Sequence, residues 1–442
     1  MTATPNQNIK PLTYSLNKLG NIELGGCDTV FLADKFGTPL YVYDENTIRQ
    51  ILHDYKKAFE NYPKMKMLYA SKAFMVKSIV KILDSENFGF DLVSGGEIHT
   101  VLSAGALLNN SVFNGSNKSP DEILYALENG IGRISVDNFF ELSLVNEIAK
   151  NLNKCADILL RITPGIECHT HEYIQTGHLD SKFGFDLSQI DNAIDLINEE
   201  YEYLNLKGLH AHIGSQIFET KVYYDEVEVL LKEIKRIKDK YGIELPEINI
   251  GGGLGIKYTQ ADTPPSIYEI AQVIISSIYE NTEKYGLELP VIYIEPGRSI
   301  VGTAGVTLYT VGSSKQVPKG KKYAAVDGGM ADNIRPSMYQ AHYTAEKANS
   351  SEDNVSEVVS IAGKYCESGD ILIKDIKLPK LSPGDILCVY NTGAYGYSMS
   401  SNYNRTLKPA VVLVNKGKAD VIVERETYEQ LVSKDKIPER LR

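Results

Sequence analysis

The stretch Met67-Leu68-Tyr69-Ala70-Ser71-Lys72-Ala73-Phe74 is a short apolar run that ends in a lysine and gives way to helix-like sequence. A buried strand that finishes on a lysine sets the stem in apolar surroundings and the amine at a rim, where desolvation lowers its pKa toward a nucleophilic form. A solvated surface lysine is the plain alternative. The same rhythm repeats down the chain. Apolar runs bounded by turn residues fall at about 66–70, 88–93, 111–114, 133–136, 157–162, 207–213, 247–250 and 291–295. Amphipathic segments such as Val76 to Leu83, Asp121 to Glu128 and Val222 to Lys238 separate most of them. Strands joined by crossovers predict a parallel sheet, and eight is the number that closes a (β/α)8 TIM barrel. An open doubly wound sheet is the alternative.

The unusual polar residues favour the barrel, because barrel chemistry collects at the carboxyl ends of the strands. The eight runs end, in order, on Lys72; on Asp91 and Ser94-Gly95-Gly96-Glu97; on Asn114-Gly115; on Asp137-Asn138; on Pro164-Gly165, after Arg161; on His212-Ile213-Gly214-Ser215, after His210; on Gly251-Gly252-Gly253; and on Glu295-Pro296-Gly297-Arg298. Any one of these is explicable as turn chemistry, but eight at one rim are not.

Outside this region the pattern changes. From Val306 onward the apolar runs alternate as strands do and long helices are absent, so an all-β domain is expected over 304–442. The barrel is expected over 39–303. Asp44 is positioned to cap a helix whose face carries Ile48, Ile51, Leu52, Tyr55 and Phe59, and residues 1–38 form an N-terminal segment expected to pair with the β-domain.

At 442 residues the chain is long enough for two domains. A net charge of −11 disfavours nucleic acid and anionic membranes as partners, and no apolar run is long enough to span a bilayer. The five cysteines form no CxxC pair and no secretory signal is evident, so free thiols in the cytoplasm are expected.

Gly251-Gly252-Gly253-Leu254-Gly255-Ile256 is a poor dinucleotide fingerprint, since Ile256 stands in place of the third glycine. Bare backbone N–H groups after a seventh strand suit a phosphate, with a tight turn as the plainer alternative. A rim lysine with a phosphate cradle points to pyridoxal phosphate, whose aldehyde condenses with an amine. Its pyridine nitrogen requires an acid, which Glu295 supplies, and its ring a flat neighbour, which His212 supplies. A salt-bridged rim carboxylate and a satisfied core histidine are the alternatives.

Tyr69-Ala70-Ser71-Lys72, His212 to Gln216, Gly251 to Gly255, Glu295 to Arg298 and Cys366-Glu367-Ser368-Gly369-Asp370 resemble the motifs of the diaminopimelate decarboxylases. These belong to the fold type III pyridoxal-phosphate decarboxylases, built from a barrel and a β-domain. The resemblance runs in order from Thr38 to Gly396. It implies decarboxylation of meso-2,6-diaminopimelate to L-lysine, the last step of lysine biosynthesis by that route. It implies that Lys72 attaches the cofactor, His212 stacks on its ring, Glu295 partners the pyridine nitrogen, and Ser215, Gly252, Gly253 and Tyr395 hold the phosphate. Arg298, Arg335 and Tyr339 match positions that bind substrate carboxylates, and Glu367 one that reads a distal ammonium; Tyr395 is also expected at the substrate. Cys366 or Lys72 is the expected proton donor. Cys366 and Glu367 are implied to reach the partner subunit's site, giving a homodimer with shared active sites. A same-fold decarboxylase of ornithine, arginine or carboxynorspermidine is the alternative.

Cys168-His169-Thr170-His171-Glu172 offers zinc-like donors without an evident fourth ligand, so no metal is expected; the resemblance makes 165–185 a lid. Lys364-Tyr365 departs from the smaller residues expected before Cys366.

Overall fold

A computed structural model of the chain describes residues 2–166, 182–349 and 357–442. The described residues divide into two compact units. The first holds the chain up to Gln7, Arg49–Ile256 and Thr263–Ile300; the second holds Asn8–Ile48, Lys257–Asp262 and Val301–Arg442.

In the first unit the strands Met65–Ala70, Gly89–Leu92, Val112–Phe113, Arg133–Val136, Ala156–Thr163, Leu204–His210, Glu247–Asn249 and Val291–Ile294 pair in parallel, each with the next. The eighth pairs back onto the first, with Ile292 opposite Met65. This closure settles the choice between an open sheet and a barrel. Apolar residues predominate in these strands because helices cover the outside and side chains fill the inside, with polar residues such as Arg161, His210 and Asn249 set among them. Glycine is required at Gly208, where a Cβ would lie 1.9 Å from the Glu247 carbonyl oxygen and hold the sixth and seventh strands apart.

Beyond the second and fourth strands helices begin almost at once, and side chains satisfy their first N–H groups. The Ser94 side chain accepts from Glu97 N–H at 3.2 Å and that of Asn138 from Glu141 N–H at 3.0 Å. Ser119 and Ser266 form reciprocal capping boxes with Glu122 and Glu269. The Ser94 and Asn138 caps follow directly on the second and fourth strands and so set where the rim residues there stand.

The second unit is built on a nine-stranded sheet. At its centre Leu40–Asp44 runs antiparallel to Gly305–Gln316 and parallel to Ala410–Asn415, linking the two ends of the unit's sequence. Leu40, Val42, Val306, Leu308, Val412 and Val414 pack in one core cluster. Tyr41, Tyr43 and Tyr309 are fully buried, which is tolerable because their hydroxyls are bonded: that of Tyr43 donates to the Gly393 carbonyl at 2.7 Å and that of Tyr309 to Asp332 Oδ2 at 2.6 Å. Asp44 Oδ2 accepts the Thr47 N–H at 3.3 Å and so starts the helix Glu45–Ala58. No described helix is long and apolar enough to cross a membrane.

Candidate active site

Lys72 sits on a one-turn 3-10 segment, Ser71–Ala73, directly after the first barrel strand. The turn is held by the buried Tyr69, whose hydroxyl donates to the Phe74 carbonyl at 2.7 Å and accepts the Phe74 N–H at 3.1 Å. On its other side Ala70 N–H donates to the Pro296 carbonyl at 3.1 Å, and a Cβ on Gly297 would lie 2.9 Å from Ala70 Cβ. These contacts bring the turn of Lys72 against the segment that follows Glu295. The Lys72 side chain is exposed at the rim, and its ammonium bears on Asp91, Glu97 and His212. Burial pushes the Glu97 carboxyl up to about 7, against the pull of the Val93 N–H and the Lys72 cation.

Glu295, at the end of the eighth strand, is 6% exposed. Asn114 donates to its Oε1 at 3.1 Å and Asn249 to the same oxygen at 2.6 Å, while His210 Nε2 stands 3.6 Å from Oε2. Burial by itself would raise this carboxyl, but His210, Asn249 and His212 outweigh it and hold it below the ordinary carboxylate range. Burial pushes His210 down while the Glu295 charge pulls it back up, so imidazole and carboxylate are bound to one another and the amide donors complete the carboxylate's shell. Asn114 also bonds Asp91, which burial and then the nearby Glu295 charge push upward. Of this pair, Glu295 gives up its proton first.

His212 is half-buried and its imidazole is held well below its ordinary pKa by burial first, then by the Lys72 and Arg161 cations. The Gly252 N–H donates to His212 Nδ1 at 3.3 Å, so the ring's proton is on Nε2 and its plane is fixed. Gly251 and Gly253 adopt φ of +61° and +107°. A Cβ at Gly252 would lie 2.2 Å from the Glu295 carbonyl oxygen, and one at Gly253 2.5 Å from that of Gly214. The glycines thus let the ends of strands six, seven and eight converge. Beside them Arg298 Nη2 donates to Ser215 Oγ at 2.9 Å.

The second unit assembles the other candidates. Arg335 opens the short helix Arg335–Tyr339 and is 7% exposed; its Cζ lies 5.0 Å from the Tyr339 ring centroid and 5.4 Å from that of Tyr395. Its Nε has no hydrogen-bond partner among the described residues. Cys366 and Glu367 stand exposed on a turn, where Cys366 N–H donates to Asn404 Oδ1 at 3.1 Å and Glu367 N–H to the Tyr365 carbonyl at 2.8 Å.

The structure therefore gathers Lys72, His212, Ser215, Gly252, Gly253, Glu295 and Arg298 within the barrel unit, and Arg335, Tyr339, Cys366, Glu367 and Tyr395 within the second. The sequence reading gave no role to the donors around Glu295. Asn249, a polar residue inside Ile248-Asn249-Ile250, was the available signal. The segment Cys168 to Glu172 and most of the expected lid lie outside the described residues.

Residues 45–302 match the model of the family described as pyridoxal-dependent decarboxylase, pyridoxal binding domain. Diaminopimelate decarboxylase of Synechocystis sp. is 48% identical, over 99% of this chain and 95% of that protein. Its counterpart in Bacillus subtilis is 49% identical over 96% and 97%. A crystal structure of diaminopimelate decarboxylase from M. jannaschii, in co-complex with L-lysine, superposes with a TM-score of 0.92 at 37% identity, covering 99% of this chain and 100% of that one. With a closed barrel, a second sheet-built unit and similarity across nearly its full length, this chain belongs to the diaminopimelate decarboxylase family of pyridoxal-dependent decarboxylases.

Proposed function

We propose that the protein removes carbon dioxide from meso-2,6-diaminopimelate to form L-lysine, with pyridoxal 5'-phosphate as its cofactor, and that it works as a cytoplasmic homodimer with shared active sites. The observation that carries the choice of substrate is Arg335, a buried guanidinium whose Nε has no hydrogen-bond partner among the described residues. A buried cation with spare donors is costly unless a carboxylate meets it, and guanidinium grips carboxylates through paired hydrogen bonds. A substrate that keeps one carboxylate after losing another supplies that partner. Ornithine and arginine do not.

The barrel residues suit the cofactor. A pyridine nitrogen stays protonated only beside an ionised acid, and Glu295 is a buried carboxylate kept ionised by amide donors. When bound, pyridoxal phosphate supplies an aldehyde for the substrate amine and a ring that accepts the electrons left by the departing carboxyl group. Lys72 supplies the amine that attaches the cofactor and, once displaced, a base at the rim. Glu295 holds the proton on the ring nitrogen. His212, neutral and fixed by Gly252, offers a flat face for stacking, and Ser215 with the Gly252 and Gly253 backbone supplies donors to the phosphate, joined by Tyr395. Arg298 and Arg335 with Tyr339 orient the carboxylates, while Glu367 reads the distal ammonium. Cys366 or Lys72 delivers the proton that replaces the lost carboxyl group.

Exposure of Cys366 and Glu367 on their turn supports service to the partner subunit's site. The described cysteines, Cys27, Cys155, Cys366 and Cys388, are free thiols, which supports a reducing compartment. The test is incubation of the cofactor-loaded enzyme with meso-diaminopimelate, ornithine or arginine while carbon dioxide and L-lysine are measured. Carbon dioxide with equimolar L-lysine from meso-diaminopimelate is expected; release from ornithine or arginine alone overturns the assignment.

A further inference from the structure

Asn249 closes the seventh barrel strand, Glu247–Asn249, and is fully buried. Its backbone is held from both sides: His210 lies opposite it on the sixth strand and Tyr293 on the eighth, and its carbonyl accepts the Ala211 N–H at 2.9 Å. The side chain is used at both of its ends. Its Oδ1 accepts the Gly251 N–H at 2.9 Å, and its Nδ2 donates to Glu295 Oε1 at 2.6 Å. Chemistry dictates which end faces which, because a backbone N–H can only donate and a carboxylate can only accept.

A third bond joins the same residues. The Glu295 N–H donates to the Gly251 carbonyl at 2.6 Å, so Asn249, Gly251 and Glu295 form a closed ring of three hydrogen bonds. Gly251 is thereby gripped at its N–H and at its C=O, and with φ at +61° it starts the turn that continues into Gly252 and Gly253. Asn114, the other amide on Glu295, makes no such link: its Nδ2 bonds the carboxylates of Glu295 and Asp91.

We propose that Asn249 is a positioning residue for the cofactor: its side chain ties the acid that meets the ring nitrogen to the glycine turn that cradles the phosphate, so that both ends of the seat are set together. This rests on the proposed pyridoxal phosphate. Ring nitrogen and phosphate belong to one small molecule, so the groups that meet them must keep a fixed spacing, and a side chain mounted on a paired strand holds such a spacing well. An aspartate at this position still accepts from Gly251 and, crowded against ionised Glu295, keeps a proton to donate. A leucine of the same shape does neither.

The test titrates full-length enzyme, stripped of cofactor, with pyridoxal phosphate, follows visible absorbance, and then measures kcat at saturating cofactor and meso-diaminopimelate. Asn249→Leu is compared with Asn114→Leu, which removes a donor from Glu295 and leaves Gly251 held. In Asn249→Leu the dissociation constant for pyridoxal phosphate rises about tenfold and kcat falls about tenfold, each the effect of one lost hydrogen bond. In Asn114→Leu kcat falls while the dissociation constant stays within about threefold, and Asn249→Asp brings that constant back to within about threefold of the unaltered enzyme. If Asn249→Leu does not fold, Asn249→Ala takes its place with the same expectation. An unchanged dissociation constant overturns the role, as does an equal rise in Asn114→Leu or an Asn249→Asp variant that binds no better than the apolar one. The unaltered enzyme run in parallel separates the two readings. If it takes up no pyridoxal phosphate, both fail; if it does and Asn249→Leu matches it, the role of Asn249 alone fails.

Discussion

Lys72 shows what a single residue type can and cannot disclose. Its position after a short apolar run marked it as a rim lysine, and it does stand at the rim, on a turn pinned by Tyr69. The environment that matters to its chemistry comes from far away in the chain. Asn114 and Glu295 are 181 residues apart and meet by a 3.1 Å hydrogen bond. No local pattern announces such a pairing, because a donor's partner is set by the order of strands around the barrel and not by spacing along it. Replacement of Lys72 by Ala should leave no covalent cofactor detectable by mass spectrometry after borohydride reduction. With its rim base removed, kcat should fall by roughly 10²–10⁴-fold. Persistent covalent labelling at full stoichiometry would remove Lys72 from its proposed role.

At the scale of elements, the eight barrel strands were legible because each carries a short, mostly apolar and mostly buried stretch bounded by turn residues. The strands Ala345–Lys347 and Lys418–Val423 were not. One is three residues long, and the other keeps most of its side chains exposed or half-exposed, so neither has an apolar run to find. The ties between elements were equally hidden. Lys118, ahead of the helix Pro120–Glu128, is buried with its amine 3.0 Å from both carboxylate oxygens of Glu141 and 2.7 Å from the Ser135 carbonyl. Glu141, in the first turn of Phe139–Asn151, also accepts the Asp137 N–H at 2.7 Å, so one ion pair holds two strand ends and two helix starts. Glu141→Ala leaves that amine buried and without its counter-charge. Denaturant unfolding should register a loss of about 3–5 kcal/mol, with the denaturant slope little changed.

At the scale of the whole molecule, a closed barrel and a separate β-rich region were both foreseeable from the change of rhythm near residue 304. That Leu40–Asp44 is the centre of the second sheet was not, because its partners lie at the far end of the chain. Assembly beyond one chain is tested by complementation. If active sites are shared, subunits carrying Lys72→Ala and subunits carrying Cys366→Ala, each nearly inactive alone, regain about one quarter of full activity when co-expressed, as random pairing in a symmetric dimer requires. Absence of any recovery would mean that each subunit supplies its own site in full.

The strand Leu40–Asp44 also imposes a schedule on synthesis. It leaves the ribosome before any of the barrel, yet one flank waits for Gly305–Gln316 and the other for Ala410–Asn415. Domains fold as units while translation proceeds, so the barrel has all its strands while this segment still has none of its neighbours. During that interval Leu40-Tyr41-Val42-Tyr43 is an unpaired apolar edge on the nascent chain, the kind of surface on which chains aggregate. The last hundred or so residues therefore do more than finish the enzyme: they retire a hazard that its first fifty create.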